Sequence, residues 1–132
     1  MFANFDQPDL KARFQFTVTA PKDFSVLSNS PAASVSAPAQ GLLRHEFAVT
    51  GVQSSYITCV TAGHYASATD TYTHPQTGQT IELGVHTRAS VAEHMDAESI
   101  FTVTKQGLDF FHEHFDYPYP WGKYDQIFVP EY

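Results

Sequence analysis

The sequence is poor in cysteine, in positive charge and in long apolar runs, and each shortage excludes a class of protein. Cys59 is the only cysteine among 132 residues, so neither an internal disulfide nor a cysteine-based zinc knuckle can form. Seven Lys and Arg stand against fourteen Asp and Glu, and a net charge of −7 disfavours nucleic acid as a partner, because phosphates attract basic surfaces. No apolar run approaches the roughly 20 residues that a membrane-spanning helix needs, so no membrane role is expected.

Motifs for phosphate binding and for nucleophilic catalysis are also missing. The seven glycines are scattered, without the spacing of a phosphate-binding loop, and no G-x-S-x-G turn is present. Asp6, Pro8 and Asp9 lie within the first nine residues, and such a start is unlike a secretory signal peptide. A cytoplasmic protein is therefore expected. Cys59 lies in the strand-like run 56–60, and we expect it to be a small core side chain rather than a reactive thiol.

Alternation of polar and apolar residues, which is typical of β-strands, runs through the first two-thirds of the chain. Hydrophobic residues make up 42% of the chain and aromatic residues 14%, which is enough for a core. Strands are predicted over residues 13–19, 24–27, 42–49, 55–61, 65–72, 81–88 and 124–129. We expect 65–72 and 81–88 to form a hairpin around a turn at 74–78. The uncharged segment Ala32 to Gln40 is interpreted as a surface loop, because it consists mainly of Ala, Ser and Pro.

The periodicity changes after residue 90, where one helix is predicted. Ser90 and Glu93 have the spacing of a capping box, which predicts a short helical turn. Asp96 is the predicted N-cap of a helix over about residues 96–115. The predicted apolar stripe consists of Ile100, Val103, Thr104, Gly107, Leu108, Phe111 and Phe115. Gly107 costs about 1 kcal/mol of helix propensity relative to Ala, so close packing by a neighbouring element is expected there.

Histidines are the first candidates for chemistry, because the chain has seven of them. His112 and His114 stand two residues apart, whereas a helical zinc site uses H-E-x-x-H, in which the two histidines share a face. We therefore expect both to be solvated near the negative end of the helix dipole, and a histidine-based metal-binding protein is only a third hypothesis. His86 is expected to pair with a residue of a neighbouring strand, without a choice of which one.

Four ordered runs resemble one protein family. Residues 5–12 read FDQPDLKA, residues 55–58 SYIT, residues 104–110 TKQGLDF and residues 117–131 YPYPWGKYDQIFVPE. In this order they resemble bacterial aminopeptidase N, a family of zinc metallopeptidases that remove N-terminal residues from peptides. The resemblance covers nearly the whole chain and implies a mainly β fold: an antiparallel, sandwich- or saddle-like N-terminal domain, then one helix and a terminal strand. It implies that 1–88 is most of that β-domain and that 89–132 begins the thermolysin-like catalytic domain.

The resemblance also implies which chemistry belongs to the parent enzyme and which to this chain. The parent would use zinc and a Glu general base to hydrolyse peptide substrates. The family's G-x-M-E-N and H-E-x-x-H motifs do not occur in the sequence, so we expect this chain alone to be inactive, with no catalytic residue, substrate-binding residue or zinc ligand.

Five residues match the two terminal signatures. Asp6, Pro8 and Lys11 match the first, and the resemblance implies that they shape a turn at a domain interface. Lys123 and Asp125 match the second, and are expected to orient the strand that in the family leads to the amine-clamping motif. All five are expected to be structural rather than substrate-contacting.

Two interpretations from different classes remain open. The first is a non-catalytic piece of a zinc aminopeptidase that scaffolds the active-site cleft. Because the chain starts on Met1-Phe2 and stops within a strand, we expect such a piece to leave aromatic residues uncovered and to self-associate through them or through strand edges. The second is a stand-alone β-sandwich module that binds a peptide along an exposed sheet edge.

Overall fold

Ten strands and one long helix lie along residues 3–129, the part of the chain that the computed structural model describes. The strands form four separate sheets, and the chain divides into two units between His64 and Tyr65. The expected class, mainly β with one main helix and a terminal strand, is confirmed. No helix within residues 3–129 is both long enough and apolar enough to cross a bilayer. The domain division predicted after Arg88 stays a prediction, because the division at His64 describes compactness and not family domains.

The first unit contains three small antiparallel sheets. Its strands are β1 (Lys11–Ala12), β2 (Thr17–Pro21), β3 (Ser25–Ser28), β4 (Ala32–Ala39), β5 (Leu42–Phe47), β6 (Gln53–Ser54) and β7 (Val60–Gly63). Strands β2, β5 and β4 form one sheet in that order, while β3 pairs with β7 and β1 with β6. The buried core consists of Ala20, Val26 and Phe47, with Phe16, Val18 and Phe24 packed against it.

Strand β4 occupies the segment that was predicted to be a loop, so that prediction was wrong. It pairs antiparallel with β5 from Ala32 opposite Phe47 to Ala39 opposite Leu42, with two shifts of register. All eight of its residues are exposed. A strand without a buried face shows no apolar alternation, so a periodicity argument could not detect it.

The strand predicted over residues 55–61 is interrupted, and this changes the environment of Cys59. A 3₁₀ helix spans Ser55–Ile57, and β7 begins only at Val60. Cys59 lies between them and is exposed, so the expectation of a core side chain was wrong. The Cys59 backbone N–H donates to Asn29 Oδ1 at 2.7 Å, and its Sγ lies 3.6 Å from the Thr61 hydroxyl.

The second unit is a three-stranded sheet covered by the helix. Its elements are β8 (Tyr65–Thr73), β9 (Thr80–Arg88), a 3₁₀ helix (Ala89–His94), α1 (Ala97–Phe115) and β10 (Lys123–Ile127). Strands β8 and β9 form the predicted hairpin, in which Gly78 at φ +72° supplies the left-handed residue of the turn. Strand β10 lies on the other side of β9 and runs parallel to it. A parallel partner requires a crossover, and α1 is that crossover.

Helix α1 begins where the sequence predicted. The Asp96 carboxylate accepts the Ser99 backbone N–H at 3.1 Å, and the contacts with Ser99 hold the pKa of Asp96 below its usual value. The short helical turn expected near Ser90 is also present, but no side chain caps it, so the capping-box interpretation was wrong. At the other end Asp116 adopts a left-handed conformation at φ 48°, which closes the helix.

The predicted apolar stripe of α1 was only half right. Ile100, Thr104 and Leu108 are half-buried and Phe101 is buried, and the sheet residues Ile81, Leu83 and Val85 form the core beneath them. Val103, Phe111 and Phe115 are exposed. Gly107 has open space beyond its Cα, since an added Cβ would meet nothing within 4 Å, so the close packing expected there was wrong. The helix carries apolar residues on two sides, and periodicity alone could not select the buried one.

We expect Phe101→Ala to destabilise the chain by about 3–5 kcal/mol, because it removes a buried aromatic ring from the core under α1. Phe110→Ala is the matched control: it is the same substitution on the same helix, but Phe110 is 58% exposed whereas Phe101 is 7% exposed. The control is expected to change the free energy of unfolding by less than about 1 kcal/mol. Urea unfolding followed by circular dichroism measures both. Equal losses would contradict the packing described here.

Candidate functional site

The face of the β10–β9–β8 sheet opposite α1 carries polar residues. Ile81, Leu83 and Val85 belong to the core packed against the helix. Successive side chains of a strand point to opposite faces, so Gly84 and His86 belong to the other face. This second face contains two of the five signature residues expected from the sequence.

His86 connects all three strands of this face. Its Nδ1 lies 2.8 Å from the Ser67 hydroxyl on β8, and its Nε2 lies 3.4 Å from Asp125 Oδ1 on β10. The other carboxylate oxygen of Asp125 lies 2.5 Å from Lys123 Nζ. The His86 side chain is only 6% exposed, and those of Lys123 and Asp125 are largely buried. We call Ser67, His86, Asp125 and Lys123 the polar row.

Gly84 provides the space that the polar row occupies. It stands opposite Asp125 in the parallel register of β9 and β10. A Cβ built on Gly84 would overlap both the Asp125 carboxylate and the His86 ring. A glycine within a strand therefore permits the close approach of two polar side chains here.

The polar row has the composition of a hydrolase triad but not its geometry. In such a triad the carboxylate holds the histidine by a well-aligned hydrogen bond, and the histidine takes the serine proton. His86 Nε2 is buried without an aligned hydrogen bond to any residue within 3–129, although Asp125 is near. The Asp125 carboxylate instead binds Lys123. This arrangement is suited to holding β10 against β9.

The other three signature residues lie in the first unit. Lys11 Nζ donates to the Pro8 carbonyl at 2.6 Å and to Ser54 Oγ at 2.9 Å, which connects the turn before β1 to β6. The turn itself is closed by the Leu10 backbone N–H donating to the Gln7 carbonyl at 3.0 Å, and the Lys11 N–H donates to the Asp9 carbonyl at 3.1 Å. Asp6 is exposed. The expectation that these residues shape a turn at a domain interface stays a prediction.

The residues present do not fit the zinc ion that the resemblance implies for the parent. Among residues 3–129, no three His, Cys, Asp or Glu side chains lie close enough together to hold a metal ion. The rings of His74 and His112 stack with centroids 4.8 Å apart. Backbone N–H groups occupy one nitrogen of each ring: Gln76 and Thr77 donate to His74 Nδ1, and Tyr119 donates to His112 Nε2. No step of a zinc reaction follows from these residues.

Sequence reasoning missed two members of this site and misjudged a third residue. Ser67 and Gly84 gave no signal beyond a polar residue and a glycine within strands, although a strand glycine is itself a sign of close approach. His86 was expected to pair across strands, and the structure selects Ser67 and Asp125 as the neighbours. His112 was expected to be solvated but is 8% exposed, so that expectation was wrong.

Comparison with known proteins finds one matching family model and several similar sequences. Residues 1–57 match the family model of the peptidase M1 N-terminal domain. Over all 132 residues the chain is 50% identical to aminopeptidase N of Streptomyces lividans. The resemblance to bacterial aminopeptidase N is thereby confirmed.

More distant relatives carry similar names. Aminopeptidase N of Bos taurus is 29% identical over 134 residues, and human glutamyl aminopeptidase is 27% identical over 131 residues, each covering 99% of the chain. The chain spans 15% of the length of the Streptomyces protein and 13% of each of these two.

Gly84→Ala is expected to destabilise the chain by about 1–3 kcal/mol, because the added methyl group overlaps the Asp125 carboxylate and the His86 ring. Gly107→Ala is the matched control, since its methyl group meets nothing within 4 Å. The control is expected to stabilise the chain by up to about 1 kcal/mol through helix propensity. Urea midpoints of the two variants measure the difference. A Gly84→Ala variant as stable as the unsubstituted chain would show that the polar row is not tightly packed.

Proposed function

We propose that this chain is a non-catalytic scaffold within a zinc aminopeptidase that removes N-terminal residues from peptides. The observation that carries the proposal is the polar row: the signature residues Lys123 and Asp125 contact each other on β10, and His86 on β9 lies beside Asp125. The 50% identity to an aminopeptidase N over the whole chain supports the same assignment.

The scaffold role concerns the position of β10. In the family that the chain resembles, the amine-clamping motif follows the segment matching residues 129–132, of which 130–132 lie outside the described residues. An error of about 1 Å in the position of a reacting group can cost roughly 100-fold in rate, so the strand that leads to such a motif needs a fixed register. The parallel pairing of β10 with β9 and the side-chain contacts of the polar row together supply that register.

Zinc and peptide substrates are proposed for the parent protein and not for this chain. The described residues contain no group of metal-ligating side chains, and the sequence contains neither G-x-M-E-N nor H-E-x-x-H. The catalytic motifs would therefore belong to segments other than the one described. A cytoplasmic location stays a prediction.

The purified chain is expected to release no naphthylamine from aminoacyl-naphthylamides, with or without added zinc, because the residues that bind zinc and activate water belong elsewhere. Fluorescence of the released amine is the measurement. Turnover that disappears with a chelator and returns with zinc would contradict the proposal.

The alternative, a stand-alone peptide-binding module, is favoured by one feature, the exposed edge strand β4. The register shifts in β4 and the proline at position 38 weigh against it, because bulges and prolines are typical means of protecting an edge from further pairing. The coding sequence that flanks this segment separates the two interpretations. A reading frame that continues into G-x-M-E-N and H-E-x-x-H removes the module, and a stop codon after Tyr132 removes the scaffold.

Self-association of the isolated chain is a further part of the proposal. Phe111 and Phe115 on α1 are exposed, as are Trp121 and Phe128, whereas Ile127 is half-buried. Exposed aromatic side chains in a contiguous patch promote association.

We expect sedimentation velocity to show oligomers of the isolated chain at high micromolar concentration. Replacing both Phe111 and Phe115 by Ser is expected to shift the distribution to the monomer, because it removes two exposed rings from one helix face. Phe5→Ser is the control, since Phe5 is even more exposed than Phe111 and Phe115 but lies in the first unit. A monomeric unsubstituted chain would contradict this expectation.

A further inference from the structure

The end of helix α1 is joined to strand β8 by a chain of hydrogen bonds in which the position of each proton can be assigned. The Tyr72 hydroxyl donates to Asp109 Oδ1 at 2.7 Å. Burial and this bond to Asp109 raise the pKa of Tyr72 to about 12, so the hydroxyl keeps its single hydrogen. His112 Nδ1 lies 3.3 Å from the Tyr72 oxygen and must therefore be the donor in that contact.

The second ring nitrogen of His112 is consequently an acceptor. The Tyr119 backbone N–H donates to His112 Nε2 at 2.9 Å. A neutral imidazole has one N–H and one bare nitrogen, and both positions are matched here: Nδ1–H faces the Tyr72 oxygen, and Nε2 faces a donor. The His112 side chain thus fits its surroundings only in the neutral form with the proton on Nδ1.

Tyr119 makes hydrogen bonds to three parts of the second unit. Its N–H binds His112 on α1, and its carbonyl accepts a hydrogen bond from Gln79 Nε2, in the turn between β8 and β9, at 2.8 Å. Its hydroxyl donates to the carbonyl of Lys123, the first residue of β10, at 3.1 Å. Burial, followed by the neighbouring Tyr124 and Asp125, raises the pKa of Tyr119 to about 12, which keeps this donor protonated.

Charged and titratable groups surround His112 on the segments that it touches. It meets Tyr72 on β8, the stacked ring of His74 in the turn that follows β8, and Asp109 on its own helix. Glu113, Asp116 and Tyr117 line the same open pocket, of about 430 Å³. Burial and the neighbouring His74 lower the pKa of His112 below its usual 6.5, and Asp109 only partly opposes them.

We propose that His112 is a proton-operated latch on strand β10: in its neutral form it holds Tyr119, and with it the start of β10, and on protonation it releases them. The step takes one proton from solvent onto Nε2. Two N–H groups then face each other where a hydrogen bond stood, and the Tyr119 N–H is left without its acceptor. This inference concerns the chain itself and stands whether or not the scaffold function is correct.

The sign of the pH dependence follows from the direction of the shift. The pKa of His112 is lower in the folded chain than in the unfolded one, so the unfolded chain binds the proton more readily. The stabilisation is therefore fully present above the unfolded value of 6.5, and it is lost as the pH falls from 6.5 towards and through the lower folded pKa.

Amide hydrogen exchange followed by NMR tests the latch residue by residue. Between about pH 7.5 and about pH 5, and after correction for intrinsic exchange, we expect the protection of the Tyr119 amide to fall by at least about tenfold, with the core of β9 unchanged. His112→Gln offers a non-titrating acceptor and should remove the pH dependence. His114→Gln is the matched control, because His114 is exposed on the same turn of the helix, and it should behave as the unsubstituted chain.

Three outcomes would overturn the proposal. The first is a Tyr119 amide that is equally protected at both pH values. The second is a His112→Gln variant whose Tyr119 amide loses as much protection at low pH as that of the unsubstituted chain. The third is a uniform loss of amide protection that includes β9. If His112→Gln does not fold, the ring nitrogens of the unsubstituted chain are measured directly. The proposal then requires a bare Nε2 at about pH 7.5, and a Lys123 amide shift that follows the protonation of His112. A proton on Nε2 at that pH, or an unresponsive Lys123 amide, would refute it.

Discussion

The contact between helix α1 and strand β9 is the one on which the second unit depends. Ile81 and Val85 are fully buried and Leu83 nearly so, and Phe101 on the helix belongs to the same core. One face of β9 is thereby committed to apolar packing. The other face of β9 carries polar side chains. Strand β9 therefore contributes to the apolar core on one face and to the polar row on the other. Residues one position apart in sequence serve the two faces, so a shift of β9 by one residue would exchange them.

Burying charged groups on that second face is tolerable because each has a partner. An ionised carboxylate loses its hydration when it is buried, and the loss is offset only by close opposite charge or by hydrogen bonds. Lys123 supplies the charge for Asp125, and Ser67 supplies a hydrogen bond to His86. Such groups contribute little to net stability, but they penalise any other register of β10, where one partner would be buried alone. The polar row therefore acts mainly by specifying one register of β10 against β9.

Local patterns were sufficient for some elements and insufficient for others. The β8–β9 hairpin and the N-cap Asp96 were predicted because neighbouring residues encode them: an alternation of period two, a turn, and a capping side chain. Asp125 was not predicted as a neighbour of His86, because β10 reaches β9 only after the whole crossover, and no local pattern sets a register between strands so distant. His112 was misjudged for another reason: α1 is apolar on two sides, and only the sheet decides which is buried. Strand β4 has no buried face at all and was therefore taken for a loop.

The parallel placement of β10 has a consequence for the order in which this unit assembles. A two-stranded hairpin closes within microseconds, because its strands are adjacent in sequence. Strand β10 can join only after the helix has formed and crossed over, so its pairing with β9 closes a much longer loop. The entropy cost of closing that loop therefore arises late in folding. Until then one edge of β9 stays open to any other strand. A nascent chain is therefore most vulnerable to mispairing in the interval between completing β9 and completing β10.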